Sequence, residues 1–402
     1  MIEFDSRTKI KTYKIPMQVI YSQEEAPKTF AKSIFLAGPS PRDKDHYSWR
    51  IDALKTLEEL GYDGVVFVPL PRNGEWPKDY DAQVNWEYDH LNMADIITFW
   101  VPRDLKDLPA FTTNVEFGMF YESGKVVLGH PDGAPGMRYM VHHAKNESIP
   151  VHTDLKATLQ ESIARIGGGA ERTDGERMVP IHIWKLPHFQ EWLTTQKRTG
   201  NSLSGARLLW SFRIGKRKQI TFAYALYVDI FIATENRHKT NEFIIARPDI
   251  STVVAYRKMT DPLDTEVVLI REFRSAARTA DGFIREVPGG STWKVDEEIS
   301  ATAAHEFAEE TGFAVAPSRL RKIGERQLCG TFSTHQAHAF ACELTAEEMN
   351  KLRQDAANGE RHGINEDTER TYVEIHRLGD LLDPRSNAVD WSMIGMIMTA
   401  FR

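Results

Sequence analysis

The sequence predicts an α/β N-terminal part, a parallel sheet flanked by helices, followed by an α+β C-terminal part. Three observations predict this. Short apolar runs alternate with helix-spaced segments between residues 33 and 166. A Gly-rich, charged stretch follows over 167–177 and reads as a linker. Beyond it the apolar runs come mostly as strands, with few helices between them. At 402 residues the chain has material for two or three domains.

The first run, 33–37, ends in Gly38-Pro39-Ser40-Pro41-Arg42 and reads as a strand entering a loop. Helical spacing over 49–60 stops at Gly61. A strand over 64–69, a helix over 84–93 and a strand over 94–102 follow, then a helix over 113–122 ending at Gly124. A strand over 126–129 and a helix over 154–166 close the block. Such sheets bind ligands where loops leave the carboxyl ends of the strands. The segment 178–212 is too apolar for a free linker, with Trp184, Phe189, Trp192, Trp210 and Phe212; it is expected to be ordered, bridging domains or forming a homodimer contact. Strands are expected over 222–231, 251–256, 266–270, 340–344 and 371–376, with a last helix over 391–401. The reading therefore divides the chain into 1–170, a connecting segment 171–215, and 216–402.

Hydrophobic residues at 41% and charged residues at 27% describe an ordinary globular chain with enough apolar material for separate cores. The net charge of -7 gives no broad electrostatic case for nucleic-acid binding. The basic run 213–218 is short and reads as a solvated turn or a phosphate contact. No apolar run is long enough to span a bilayer, so no membrane partner is expected. Two cysteines, Cys329 and Cys342, are too few for a disulfide scaffold; they suit a cytoplasmic setting and burial as small hydrophobes.

The feature richest in chemistry is a trio of acids on one helix-sized segment: Glu306, Glu309 and Glu310. Residues three and four apart share a helix side, where like charges repel. A divalent cation removes that repulsion, and Mg²⁺ prefers carboxylate and phosphate oxygens. The alternative is a solvated acidic face. Ile299, Ala303 and Phe307 form an apolar stripe, and Glu310 lies beside it, where a lone carboxylate is costly.

Together with Gly290, Glu297, Gly312 and Phe313, these acids resemble the Nudix box of enzymes that hydrolyse nucleoside diphosphate derivatives. His305 stands where that pattern has Arg, the ungapped Gly position is Ser291, and Gly290 fits with a one-residue insertion. In the family the Arg braces a metal-binding Glu; a His braces it more weakly near neutral pH. Arg271, Arg274 and the run Ile284-Arg285-Glu286-Val287-Pro288-Gly289-Gly290 resemble the ADP-ribose pyrophosphatase branch. The resemblance implies a Nudix sandwich. It implies Mg²⁺, or Mn²⁺, on Glu306, Glu309 and Glu310, and substrate contacts at Arg271, Arg274 and Glu286. Surface ion pairing is the alternative for the arginines. The water-activating base is Glu309, Glu310, or one of Glu366, Asp367 and Glu369.

The N-terminal block resembles the nucleoside 2-deoxyribosyltransferase family. The resemblance rests on Phe35-Leu36-Ala37-Gly38-Pro39, on Asn92-Met93-Ala94-Asp95, and on Thr112-Thr113-Asn114-Val115-Glu116-Phe117-Gly118. Trp49-Arg50, Gln83, Trp86-Glu87 and Phe99-Trp100 suit a divergent branch, and Ala110-Phe111-Thr112 lack the acid that better-known members carry there. The resemblance implies a flavodoxin-like sheet, with Glu116 as the nucleophile on an anomeric carbon. A carboxylate suits that role because cleaving an N-glycosidic bond builds oxocarbenium character. Glu87 is the expected proton donor to the leaving base, with Asp89 as the competing choice. Gly38, Ser40, Arg42 and Asn114 are expected to shape the sugar or phosphate pocket. A helix N-terminal acid is the plain alternative for Glu116, core packing for Trp49, Trp86 and Trp100, a strand anchor for Asp95, and a local hydrogen bond for His90.

The combined expectation is a bifunctional enzyme of small-molecule nucleotides. It would cleave or transfer an N-glycosidic bond and hydrolyse a diphosphate such as ADP-ribose. The rivals are a nucleotide-sensing protein with a degenerate Nudix effector, and a Nudix hydrolase whose N-terminal block is structural.

Overall fold

The computed structural model describes residues 16–41, 47–76, 78–291, 298–363, 369–386 and 388–402. It forms two compact units that divide between Ile245 and Ala246.

The first unit contains β1 (Gln18–Tyr21), β2 (Thr29–Phe30), β3 (Ser33–Ala37), α1 (Trp49–Glu59), β4 (Val65–Val68), α2 (Tyr80–Met93), β5 (Ile96–Trp100), α3 (Phe111–Phe120), β6 (Val126–Gly129), α4 (Arg138–Asn146), β7 (Val151–His152) and α5 (Leu155–Ile166). After these come β8 (Arg172–Thr173), α6 (Ile181–Trp184), α7 (Pro187–Arg198), β9 (Ser202–Ile214), β10 (Ile220–Ile232) and β11 (Arg237–Ala246).

Six strands make one sheet in the order β1-β4-β3-β5-β6-β7, parallel throughout. Leaving aside β1 at the edge, the order is that of the flavodoxin-like doubly wound sheet. Strand alternation explains the layering. Phe35, Phe67, Ile97 and Phe99 face Trp86, Leu91, Phe117 and Met140 from α2, α3 and α4. Ile34, Leu36, Val66 and Val127 face Trp49, Leu57 and Leu159 from α1 and α5. Both faces are covered, which is why the strands read as continuous apolar runs. Trp49, Trp86 and Trp100 are core residues, as their plainer reading holds. Helix α2 begins before the expected position because Asp79 caps it, accepting from the amides of Asp81 (3.0 Å) and Ala82 (3.3 Å).

The segment expected to be a free linker is not one. Arg172 is buried, and its two terminal nitrogens each lie 2.6 Å from an oxygen of Asp95. Asp95 also accepts from the amides of Ser33 (2.9 Å) and Ile181 (3.1 Å), so it anchors a strand end. This network fixes 170–181 against the sheet and moves the boundary away from residue 170. The expected boundary after 215 falls in the turn of a hairpin. Residues 202–214 and 220–232 pair antiparallel, and β11 completes a three-stranded sheet. Phe189 and His188 of α7 pack against Tyr224 of β10, so the aromatic segment and these strands form one ordered part of the first unit. In the basic run, Arg213 and Lys218 both pair with Glu147, at 3.1 and 2.7 Å.

The second unit contains β12 (Ile250–Arg257), β13 (Glu266–Phe273), β14 (Phe283–Glu286), β15 (Gly289–Gly290), α8 (Ile299–Thr311), β16 (Arg321–Gln327), β17 (Gln336–Glu343), α9 (Ala346–Ala357), β18 (Thr371–Arg377), α10 (Leu378–Leu381) and α11 (Trp391–Ala400). Its mixed sheet has the order β14-β13-β12-β17-β16, with β15 on β12 and β18 on β13. Only β12 and β17 run parallel among the described pairs. Val253, Val268 and Phe340 pack under α8 and α9 through Ala303, Phe307, Met349 and Leu352. Val254, Val267 and Leu269 pack on the other face against Leu378, Met393 and Ile397. Cys342 is buried in the first of these cores, while Cys329 is half-buried; both are free thiols. No described helix of the chain is long and apolar enough to cross a membrane.

Candidate functional site

In the first unit the chain leaves β3 toward α1 on one face and leaves β5 toward α3 on the other. In doubly wound sheets ligands bind where such connections diverge, at the carboxyl ends of the two strands. Gly38 sits there with φ +149°, and a Cβ on it would lie 2.1 Å from the Trp100 carbonyl oxygen. Only glycine lets these two chain segments approach so closely.

Arg50, on the first turn of α1, is the central residue that sequence reasoning passed over. It is 2% exposed. Its Nε donates to the Leu36 carbonyl (3.0 Å), one terminal nitrogen to Pro39 O (3.3 Å) and Ser40 Oγ (3.2 Å), and the other to Gly38 O (2.7 Å). Trp49 braces the same loop through Nε1 to Pro39 O (3.1 Å), with the guanidinium 4.8 Å from its ring. Gly38 and Ser40 thus lie in the loop that Arg50 and Trp49 hold. Arg42 lies outside the described residues.

Two carboxylates share this environment. Burial, with the Glu87 charge adding and Arg50 opposing, pushes Glu116 up to about 7. Burial also raises Glu87, against a hydrogen bond from Gln83 and the charge of Arg50. Gln83 Nε2 donates to Glu87 at 2.7 Å, and its own oxygen accepts from Ser22 Oγ. The buried Gln83 therefore fixes Glu87 from one helical turn away. Arg50 itself is brought down to about 10 by burial, with Glu116 and Glu87 opposing. A carboxyl raised to about 7 can hold and release a proton near neutral pH. Asp89 is exposed on α2, two residues from Glu87 and so on a different side of the helix. Of the two acids, Glu87 is the one whose charge acts on Glu116 and Arg50. Asn114 accepts from Arg103, which also donates to Gly136 O (3.1 Å). His90 makes the expected local bond, with Nδ1 2.7 Å from Trp86 O.

The second unit gathers acids at the start of β15 and along one side of α8. Glu310 is 4% exposed, beside the apolar stripe. It accepts from the Gly289 amide at 2.7 Å, which lowers its titration, but burial and the charges of Glu369, Glu306 and Glu286 hold it well above the usual range. Gly290 makes room for Glu306, whose carboxylate a Cβ at that position would overlap. Glu272, which sequence reasoning missed, is also buried; burial raises it to about 7, Arg274 opposes, and Glu369 and Glu286 add to the rise. Arg274 lies 2.8 Å from Glu272 and 3.4 Å from Glu286. Arg247 donates to Ser291 Oγ at 3.1 Å and faces Glu286.

Two expected members stand apart. Arg271 and Glu272 are adjacent on β13 and point to opposite faces. Arg271 therefore leaves the acid cluster and lies 3.1 Å from Glu374, over the rings of Phe283 and Tyr372, in the ion pairing that was its alternative reading. Glu309 turns toward the exposed His305, 3.7 Å away. Among the described residues no three acidic, His or Cys groups already converge as a metal-holding set. Glu297 and the candidate bases Glu366 and Asp367 lie outside the described residues. The donors present are carboxylate oxygens, one of them buried and hemmed in by other acids, and that chemistry suits a hard divalent cation.

Residues 31–134 match the family described as nucleoside 2-deoxyribosyltransferase like. The span holds Gly38, Ser40, Arg50, Glu87, Asn114 and Glu116, and so the N-terminal part of the chain carries a nucleoside 2-deoxyribosyltransferase-like domain. No curated protein matches the chain.

Proposed function

We propose that the chain is a bifunctional enzyme of nucleotide metabolism whose first unit cleaves or transfers the N-glycosidic bond of a (deoxy)nucleoside or nucleotide. The observation that carries this reading is the match of residues 31–134 to the deoxyribosyltransferase-like family, within which Glu116 is raised to about 7 with the Glu87 charge adding and Arg50 opposing. The Glu116 carboxylate adds to the anomeric carbon as the bond to the base breaks. Glu87 gives its proton to the departing base nitrogen, and Gln83 keeps that carboxyl aimed. Water or a second base then displaces Glu116 and returns a proton to Glu87.

The second unit, on this proposal, hydrolyses a nucleoside diphosphate derivative such as ADP-ribose. Glu306 and Glu310, with Glu309, would hold Mg²⁺ or Mn²⁺. The ion would neutralise the diphosphate and help ionise the attacking water. Arg274 and Glu286 would orient the substrate from opposite the helix, and Glu309, Glu310 or Glu369 would serve as base. The small number of cysteines supports a cytoplasmic setting, and the exposed aromatics of β9 a homodimer contact.

A sensing role with a degenerate effector is the second reading. His305 in the place of Arg favours it, since its 3.7 Å contact with Glu309 is a weaker brace than an arginine ion pair. A product screen by mass spectrometry separates the two. The full chain is incubated with pooled nucleosides, deoxynucleotides, NAD and ADP-ribose, with Mg²⁺ or EDTA. Free base regardless of metal, with AMP only in Mg²⁺, is the expected result; ligand binding with no product would sink the enzyme reading.

A further inference from the structure

We infer that the first unit carries a second small-molecule site, at the opposite end of its parallel sheet from the Gly38 loop, where the free edge of β9 and the basic side chains around it take a nucleoside phosphate. This site does not depend on the proposed N-glycosidic chemistry. It gives a part to the basic run that the proposed reactions leave without one.

A cavity of about 470 Å³ lies between β9 and the ends of α2 and α3. Small-molecule sites typically measure ~300–1,000 Å³. Asn92 and Lys125 line it; Asn92 precedes β5, and Lys125 stands immediately before β6. The cavity is therefore at the amino ends of these strands. At roughly 3.3 Å per residue, β5 sets the two ends of the sheet roughly 13 Å apart. Strand β9 is last in the order β11-β10-β9, and its residues 207–213 wall the cavity without a break. A strand edge presents backbone N–H and C=O groups that no neighbouring strand pairs. In the same wall Ser211 Oγ is buried and has no hydrogen-bond partner among the described residues.

The charges favour an anion. Arg207, Arg213 and Lys218 line the cavity with Lys125, against Glu122 and Glu147. Glu147 is shared by Arg213 (3.1 Å) and Lys218 (2.7 Å), and Glu122 accepts from the Tyr121 hydroxyl (2.7 Å). Buried Lys125 gives two N–H groups to the carbonyls of Leu91 (2.7 Å) and Asn92 (2.8 Å), which ties the end of α2 to the start of β6. Among the described residues Arg207 bonds only the Tyr88 hydroxyl, at 3.2 Å. A guanidinium has five N–H donors in a planar fork that matches phosphate oxygens. With one neutral partner, that of Arg207 is open to such a group. Trp210 and Phe212 also line the cavity; both are exposed, with rings 6.1 Å apart and 11° from parallel. Inorganic phosphate would leave these rings unused, and an uncharged nucleoside would leave Arg207 unused. A nucleoside phosphate uses both.

The test is hydrogen exchange of the full chain with AMP, adenosine or pyrophosphate added. AMP should slow exchange in peptides covering 207–213 and 119–125. Arg207→Gln should raise the AMP concentration for half-protection about tenfold. Trp210→Ala should raise it about tenfold as well, and leave that for pyrophosphate unchanged. Both side chains are exposed, so neither substitution opens a core. AMP that protects only other parts of the chain overturns the inference, as does half-protection that neither substitution moves. Adenosine that protects as well as AMP removes the phosphate from the assignment and overturns it too. So does pyrophosphate that matches AMP with no effect of Trp210→Ala, which removes the base. The exchange is local and needs no turnover, so a chain that releases no base still answers the question.

Discussion

Replacing Glu116 with Gln should make the protein more stable at pH 8 and leave its stability unchanged at pH 4. The carboxyl titrates at about 7 in the folded chain, against an ordinary value of 4.5. Below 4.5 it is neutral folded or unfolded and costs nothing. Between 4.5 and 7 the unfolded chain releases the proton more readily, and stability is lost as pH rises. Above 7 the full penalty is in place, roughly 3 kcal/mol at about 1.4 kcal/mol per pH unit. A neutral amide of the same shape removes it, so the variant should gain up to about 3 kcal/mol at pH 8, a ceiling that relaxation of the site reduces. The assay is urea unfolding at both pH values, with hydrogen exchange of peptides from Ser33–Ala37 and Ile96–Trp100 reporting this sheet directly. The same variant should release no base. Equal effects at the two pH values, or a larger gain at pH 4, would refute the claim that Glu116 sits in a site hostile to its charge.

Two further outcomes follow from the same geometry. Glu87→Gln removes a negative neighbour, so Glu116 should ionise more easily and the acid limb of base release should move to lower pH, with a lower maximal rate from loss of the proton donor; a pH–rate profile reads both. Arg172→Met leaves Asp95 buried without its cation and should cost about 3–5 kcal/mol in urea unfolding, whereas the double change Arg172→Met with Asp95→Asn should recover part of that loss.

The parallel sheet was legible because its strands are buried on both faces and their apolar runs lie close to full helical segments. β3, β4, β5 and β6 were all anticipated at their positions. The two-residue β7 and the nine-residue α4 were missed, since the strand is too short to alternate and the helix is short and follows a Gly- and Pro-rich stretch that reads as loop. The stretch around Arg172 misled for a physical reason. Glycines and charges in sequence look solvent-exposed, yet Arg172 has its partner, Asp95, in a distant part of the chain. At the proposed glycosidic site, the motif pointed to Glu116 and Glu87, but Arg50 stood in it only as part of a Trp-Arg pair. Its role depends on four acceptors on the preceding strand and loop, which no spacing rule reveals. In the second unit, Glu310 was placed beside the stripe correctly, and its burial bears that out. Glu272 escaped notice because an acid inside a strand reads as a solvent-facing residue until the opposite strand and helix cover it.

The two acid clusters differ in the charge that would relieve them, and this predicts different ligand responses. At the first, Glu87 and Glu116 set two negative charges against that of Arg50, and one proton neutralises the trio. At the second, Glu272, Glu286, Glu306, Glu310 and Glu369 influence one another, with Arg274 and Arg247 as the cations drawn into the group. An excess of carboxylates cannot be settled by one proton without leaving others ionised in a buried place. A divalent cation settles several at once, and binding only to the folded form adds stability as its concentration rises. Mg²⁺ at 100 times its dissociation constant should therefore stabilise the second unit by about 2.7 kcal/mol, read as slower exchange in peptides from Ile299–Thr311. Glu310→Gln should cancel that response and, in the absence of metal, render the unit more stable than wild type at neutral pH, because the buried charge is gone. Exchange that ignores Mg²⁺ in wild type would count against a metal centre here and favour a cluster whose acids are held protonated.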